Sequence, residues 1–187
     1  NFFDTASVYG LGLSEERLAL ILGSMRHEMT IATKGGLIWN QVKSKRAVVT
    51  KDSSPKSLVK QVHSSLKRLK IDSIPIYYIH WPDPNIPINS TFDTLRKLCD
   101  EQKIQRLGCS NFNHNQLKEA CSVAKIDFVQ LPVNILNYSL QPRLVNLSKK
   151  FKFKIVAYNV LANGLLTGKY NINSKFPVLL NEICKFE

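Results

Sequence analysis

The sequence predicts an α/β protein of the (β/α)8, TIM-barrel type, incomplete, with about six βα units. Three observations predict it. Short apolar runs alternate with segments of helical period about six times along the chain. The runs are apolar throughout instead of alternating in polarity, which is the pattern of parallel strands covered by helices. No GxGxxG turn follows any of them, which disfavours the dinucleotide-binding form of the competing doubly wound sheet and leaves the barrel.

Phe2-Phe3 is the first strand, ending at Asp4, and a short polar turn carrying Tyr9 and Gly10 follows it. Asp4 is expected to be buried there, and so to need a charged or hydrogen-bonded partner. Ser14-Glu15-Glu16 ahead of Leu18, Leu20, Ile21 and Leu22 marks a helix start with acids in its first turn, and Gly23 marks its stop. Met29 to Thr33 reads as a buried strand ending in Lys34, before a Gly35-Gly36 turn. Residues 39–52 have mixed polarity and no period, and are expected to form a loop. Pro55 opens a helix, where its missing amide is tolerated, and Leu58, Val62, Leu66 and Leu69 follow at helical spacing.

Ile74 to Ile79 is the next strand, ending at His80, although Pro75 within it cannot donate to a ladder. Pro82, Pro84 and Pro87 force a loop, and Thr91 to Lys103 follows as a helix with Phe92, Leu95 and Leu98 inward. Ile104 to Cys109 is strand-like and ends in Ser110-Asn111. Asn113 is placed to cap a helix running to about Ala124. Phe128-Val129 is a short strand ending at Gln130, and Pro142 to Lys152 is a helix. Phe153 to Ala157 is a strand ending at Tyr158, with a glycine-punctuated loop after it, and residues 176–186 are expected to begin a helix.

With 187 residues, 44% of them hydrophobic, the chain suffices for a single domain, 1–187, that buries roughly 70% of its unfolded surface. Its apolar runs fall far short of the roughly 20 residues of a membrane helix. No secretory leader is visible, although an upstream one could precede a chain that opens inside a strand. Cys99, Cys109, Cys121 and Cys184 lack CxxC spacing and any compact framework. That pattern argues against zinc and against a stapled secreted fold, and favours a cytoplasmic setting. Lys and Arg number 26 against 14 Asp and Glu, a net charge of +12, but they are scattered and lack interleaved aromatics. They read as a solvated basic surface with a secondary attraction for phosphate-bearing ligands, not as a nucleic-acid site.

Asp4, Lys34, His80, Ser110-Asn111, Gln130 and Tyr158 all stand where an apolar strand runs into the next loop. In a barrel those ends converge on one rim, where such folds keep their chemistry. Any one of them has a plain structural explanation, an ion pair or a satisfied core residue, but six sharing one arrangement point to a site. Tyr9 beside Lys34 is expected to be a proton donor whose pKa the ammonium lowers, with Asp4 holding Lys34 charged and oriented. His80 would donate a hydrogen bond to a substrate oxygen as negative charge develops on it.

The runs FFDTASVYG, ATKGG, SLKRLKIDSIPIYYIHWPDP, IQRLGCSNF, VQLPVN and AYNVLANGLLTGKY resemble the aldo-keto reductase superfamily over nearly the whole chain. The resemblance implies that Asp4, Tyr9, Lys34 and His80 are the catalytic tetrad, with Tyr9 as the acid. It makes Ser110, Asn111 and Gln130 the residues holding the nicotinamide carboxamide, Tyr158 the ring stacked on the nicotinamide, and Asn159 and Leu161 adjoining contacts to the cofactor's phosphates. It implies NADP(H) as cofactor and small carbonyl compounds as substrates.

Matched in order, Phe2-Phe3 becomes the second family strand and Phe153 to Ala157 the seventh. The first and eighth strands, and the segment that holds the adenosine 2′-phosphate, are thus expected to be missing from a barrel fragment. Pro75 stands where an acidic residue is more usual, and Asn163 where the family tends to place a basic one before Gly164. Besides a carbonyl reductase, two readings stay open. One is a cofactor-binding regulatory module resembling potassium-channel β subunits, and the other is an inactive truncation product. Trp39 and Trp81 follow strand ends and are candidates to line a substrate pocket.

Overall fold

In the computed structural model, which describes residues 1–40, 47–136, 141–171 and 174, the six apolar runs form one parallel sheet. Its strands are β1 (Phe2–Asp4), β2 (Thr30–Gly35), β5 (Ile76–Ile79), β6 (Leu107–Ser110), β7 (Phe128–Pro132) and β8 (Lys154–Tyr158), side by side in chain order. Helices α1 (Leu13–Leu22), α2 (Pro55–Leu69), α3 (Ile88–Asp100), α4 (His114–Val123) and α5 (Gln141–Phe151) make the connections. The result is a half-barrel matching an incomplete (β/α)8 barrel. Among the described residues, β1 and β8 each have a single sheet neighbour.

The sheet's two faces carry different chemistry with a period of two. Ile31, Tyr77, Ile79, Leu107, Cys109 and Val129 face the helices, where they join Leu58, Val62, Phe92, Leu95 and Leu117 in the main core. Ala32, Ile76, Tyr78 and Phe128 form a small cluster on the other face. One place on that face is fully packed: Tyr78 stands directly beside Gly108 in the β5–β6 register. A Cβ on Gly108 would lie 2.3 Å from the Tyr78 ring and 3.0 Å from the carbonyl oxygen of Phe128. Gly108→Ala is therefore expected to destabilise the fold by about 1–3 kcal/mol through overpacking. An unchanged urea midpoint would show that the ring can move aside.

Local signals fix several boundaries. Pro55 occupies the first turn of α2, and Gly23 closes α1. Asn113 caps α4 in a reciprocal box: its side chain accepts from Gln116 N at 3.0 Å, while Gln116 Oε1 accepts from Asn113 N at 2.9 Å. Pro75 stands outside β5, which begins at Ile76, and Ile74 makes only an isolated bridge to Ile104. Helix α3 starts three residues earlier than expected, at Ile88, directly after Pro87.

The larger correction concerns residues 39–52. Instead of a loop, the chain forms an antiparallel hairpin, β3 (Leu37–Asn40) against β4 (Val48–Lys51). Two short β-forming stretches, Leu37-Ile38-Trp39 and Val48-Val49-Thr50, pair with each other outside the main sheet. The helix expected over 176–186 lies outside the described residues.

Candidate active site

The period of two on the sheet brings the predicted residues together. Lys34 lies within β2, not beyond it, and points with Ala32 and Tyr78 to the inner face. It is 2% exposed and forms an ion pair with Asp4 Oδ2 at 2.6 Å, also donating to the Thr5 carbonyl at 2.8 Å. Asp4 is not the buried member: on the edge strand its side chain stays 33% exposed. Burial lowers the Lys34 pKa, while the Asp4 carboxylate opposes that shift.

Tyr9 begins a short 3-10 turn, Tyr9–Gly12, in which Gly10 and Leu11 adopt left-handed backbone. The loop leading to it is tied to β2 and to α1: Ser7 Oγ donates to the Lys34 carbonyl at 2.9 Å, and the Thr5 hydroxyl meets that of Ser14 in α1 at 2.8 Å. These bonds set the Tyr9 ring 5.4 Å from Lys34 Nζ and edge-on to His80, with centroids 5.7 Å apart. The expected direction of its pKa is reversed here. Burial raises the phenol first, and the charge of Asp4 and the neighbouring Tyr158 add to it. A cation beside the ring does not offset lost hydration together with a carboxylate.

His80 follows β5 and is anchored through its own amide, which donates to the Gly35 carbonyl at 2.8 Å. Burial and the Lys34 charge lower its pKa from 6.5 to about 4, so the ring is neutral at pH 7. Its Nδ1 is buried without a partner among the described residues. A lost proton acceptor is less costly than an orphaned N–H at that atom, which favours the proton on Nε2. In the pH window between 6.5 and 4 the unfolded chain takes up a proton that the folded chain refuses. Stability should therefore fall with pH across that window, by at most roughly 3 kcal/mol. His80→Gln should flatten this part of the profile in urea titrations; an unaltered slope would mean that His80 is not held neutral.

The second group of predicted residues adjoins the first. Ser110 ends β6 in register with Gln130 of β7, and Asn111 N donates to the Gln130 carbonyl at 3.1 Å. Asn111 adopts left-handed backbone, φ 63°, and its amide reaches the His80 carbonyl at 2.9 Å and Ser110 Oγ at 3.1 Å. Tyr158 ends β8 and donates to Asn111 Oδ1 at 2.6 Å. Gln130 Nε2 donates to Asp4 Oδ1 at 3.2 Å, so one carboxylate touches both groups. Two amides, a hydroxyl and a fixed aromatic ring thus share one patch of the rim, which fits a flat ring bearing an amide. Asn159 and Leu161 lie apart from this network. Asn159 Oδ1 accepts from Asn163 N at 2.8 Å, and Leu161 is exposed.

A profile of the Aldo/keto reductase family matches residues 1–179. The chain belongs to the aldo/keto reductase family. Among curated relatives, this aldo/keto reductase chain is 34% identical to aldo-keto reductase YhdN of Bacillus subtilis (strain 168), over 89% of this chain and 49% of that protein. It is 32% identical to the NADH-specific methylglyoxal reductase of Escherichia coli (strain K12), over 90% of this chain and 54% of that one. The solved glycerol dehydrogenase AKR11B4 from Gluconobacter oxydans superposes with a TM-score of 0.88 at 37% identity, covering 95% of this chain and 54% of its own. The chain spans about half the length of the relatives it matches.

Within this aldo/keto reductase half-barrel, sequence reasoning missed a fully buried charge. Glu15, read in the sequence only as an acid in a helix's first turn, is 0% exposed; it accepts from Thr33 Oγ1 at 2.6 Å and pairs with Arg68 Nε at 2.6 Å. Arg68 also packs on Gly12, at the end of the Tyr9 turn. Trp39 lines a cleft of about 460 Å³ between the hairpin and α2, while Trp81 stands at the rim, 42% exposed.

Proposed function

We propose that the described elements act as one domain and form the catalytic rim of an NADP(H)-dependent reductase of aldehydes and ketones, in a cytoplasmic setting. The observation that carries this reading is the buried Lys34, paired with Asp4 at 2.6 Å and 5.4 Å from the Tyr9 ring, with a neutral His80 at the edge of that ring. When bound, the nicotinamide cofactor supplies a hydride. Ser110, Asn111, Gln130 and Tyr158 would hold its nicotinamide end, and Asn159 and Leu161 would adjoin its phosphates.

Tyr9 keeps its proton through neutral pH because burial and Asp4 raise its pKa. It gives that proton up as negative charge grows on the carbonyl oxygen, the point at which a general acid contributes most. The Tyr9 hydroxyl makes no hydrogen bond to another described residue, so it is available to a substrate oxygen. His80 donates one hydrogen bond to the same oxygen, and the Lys34 ammonium stabilises the phenolate left behind.

The test is titration of the folded chain with NADPH and NADH, followed by tryptophan fluorescence, with a screen of neutral aldehydes and ketones. Saturable binding with tighter NADPH and turnover is expected. Tighter NADH would move the cofactor assignment alone. Binding without turnover would support a cofactor-binding module, and a folded chain that binds neither overturns the reading.

A further inference from the structure

The hairpin delivers a cation to the rim that the reaction above does not use. The Gly35-Gly36 pair at the end of β2 is its anchor. The Gly35 carbonyl accepts from His80 N at 2.8 Å, and the Gly36 carbonyl accepts from Asp52 N at 3.0 Å. Trp81 follows His80 and Lys51 precedes Asp52, so both side chains are hung from adjacent points beside the candidate oxygen-binding pair. Lys51 Nζ lies 5.7 Å from the centroid of the Trp81 ring, and both residues are exposed.

Lys51 has no acidic partner among the described residues. The carboxylates nearest to Lys51 and Trp81 in the chain, Asp52 and Asp83, are hydrogen-bonded to backbone amides. Asp52 Oδ1 accepts from Ser54 N at 3.0 Å, while Asp83 accepts from Ser53 N and Asn85 N, each at 2.9 Å. An indole face, one residue beyond His80, and an ammonium without an ion-pair partner among the described residues thus stand together. A lysine over an exposed indole also shields apolar surface from water. That role alone gives no dependence on the charge of a ligand.

Resting on the reading of Tyr9 and His80 as the groups that bind the carbonyl oxygen, we propose that Lys51, seated on Trp81, selects carbonyl substrates that carry a carboxylate. One ammonium matches the single charge of a carboxylate, and Trp81 supplies an apolar face for the linking atoms. The reaction is unchanged. The carbonyl carbon gains a hydride and its oxygen a proton from Tyr9 as the nicotinamide is oxidised, and the carboxylate stays intact.

The experiment uses a Trp39→Phe background, which leaves Trp81 as the single indole, with folding of each variant verified by circular dichroism. 4-Formylbenzoate and its uncharged methyl ester are titrated against Trp81 fluorescence and by calorimetry. The carboxylate should bind about fivefold more tightly than the ester, the upper range for an exposed charge pair. Lys51→Met should erase that difference without weakening the ester, Lys51→Arg should keep it, and high salt should shrink it. Equal binding of the two compounds, or a Lys51→Met variant that weakens both alike, overturns the proposal. Reduction of the ester is followed in parallel. Turnover of both without preference leaves the reductase reading standing and removes Lys51. Lys51-dependent binding of the carboxylate with no reduction of either compound keeps the Lys51 site and removes the reductase reading.

Discussion

Replacing Tyr9 by Phe is expected to lower kcat for carbonyl reduction by about 10²–10⁴-fold, the usual contribution of a positioned general acid, with NADP(H) affinity nearly unchanged. The substitution removes one atom from a residue whose packing is otherwise kept. The ring retains its edge contact with His80 at 5.7 Å and its place 5.4 Å from Lys34 Nζ. Burial, the Asp4 charge and Tyr158 all hold the Tyr9 pKa above its ordinary value, so the wild-type acid stays protonated beyond the usual tyrosine range. The reduction rate should accordingly not decline through mildly alkaline pH. A Tyr9→Phe variant that keeps most of its activity would remove Tyr9 as the acid, and single-turnover kinetics with measured cofactor affinity separates that outcome from a binding defect.

Arg68→Met is expected to be among the most destabilising single changes in the chain. Glu15 has no exposure, and its two carboxylate oxygens are each held at 2.6 Å, one by Thr33 and one by Arg68. Taking away the guanidinium strands a buried charge, which typically costs about 3–5 kcal/mol. The double variant Glu15→Gln with Arg68→Met should recover much of that loss, because a neutral amide is far less costly to bury than a carboxylate. Urea denaturation of the two single variants and the double checks this. A double variant no more stable than Arg68→Met would place the cost in lost packing against Gly12 instead.

The parts of the site legible in sequence are those where an apolar run stops at a polar residue. Asp4, Ser110 and Tyr158 do end their strands, and His80 directly follows one. Lys34 and Gln130 lie inside their strands, because polar side chains on the inner face of a half-barrel do not end a ladder. Strands that read as uniformly apolar conceal this second face. The burial of Glu15 is invisible locally, since its partners lie 18 and 53 residues away. The Tyr9 pKa went the other way for a related reason: the identity of a charged neighbour is written in the sequence, and the depth of burial is not. The hairpin escaped because its strands are four residues each and, among the described residues, pair only with each other.

That hairpin opens and closes at neighbouring backbone positions, with Asp52 N bonded to the Gly36 carbonyl at 3.0 Å. The register of β2 against β5, Ala32 with Ile76 through Gly35 with Ile79, is complete without it. Doubling the length of such an excursion costs only about 0.6 kcal/mol in closure entropy. Insertions, deletions and new side chains between Gly36 and Asp52 are therefore tolerated as an exchangeable cassette. On the proposed role of Lys51, selection acting on that one segment would redraw which compounds are accepted while the sheet beneath it is left unaltered.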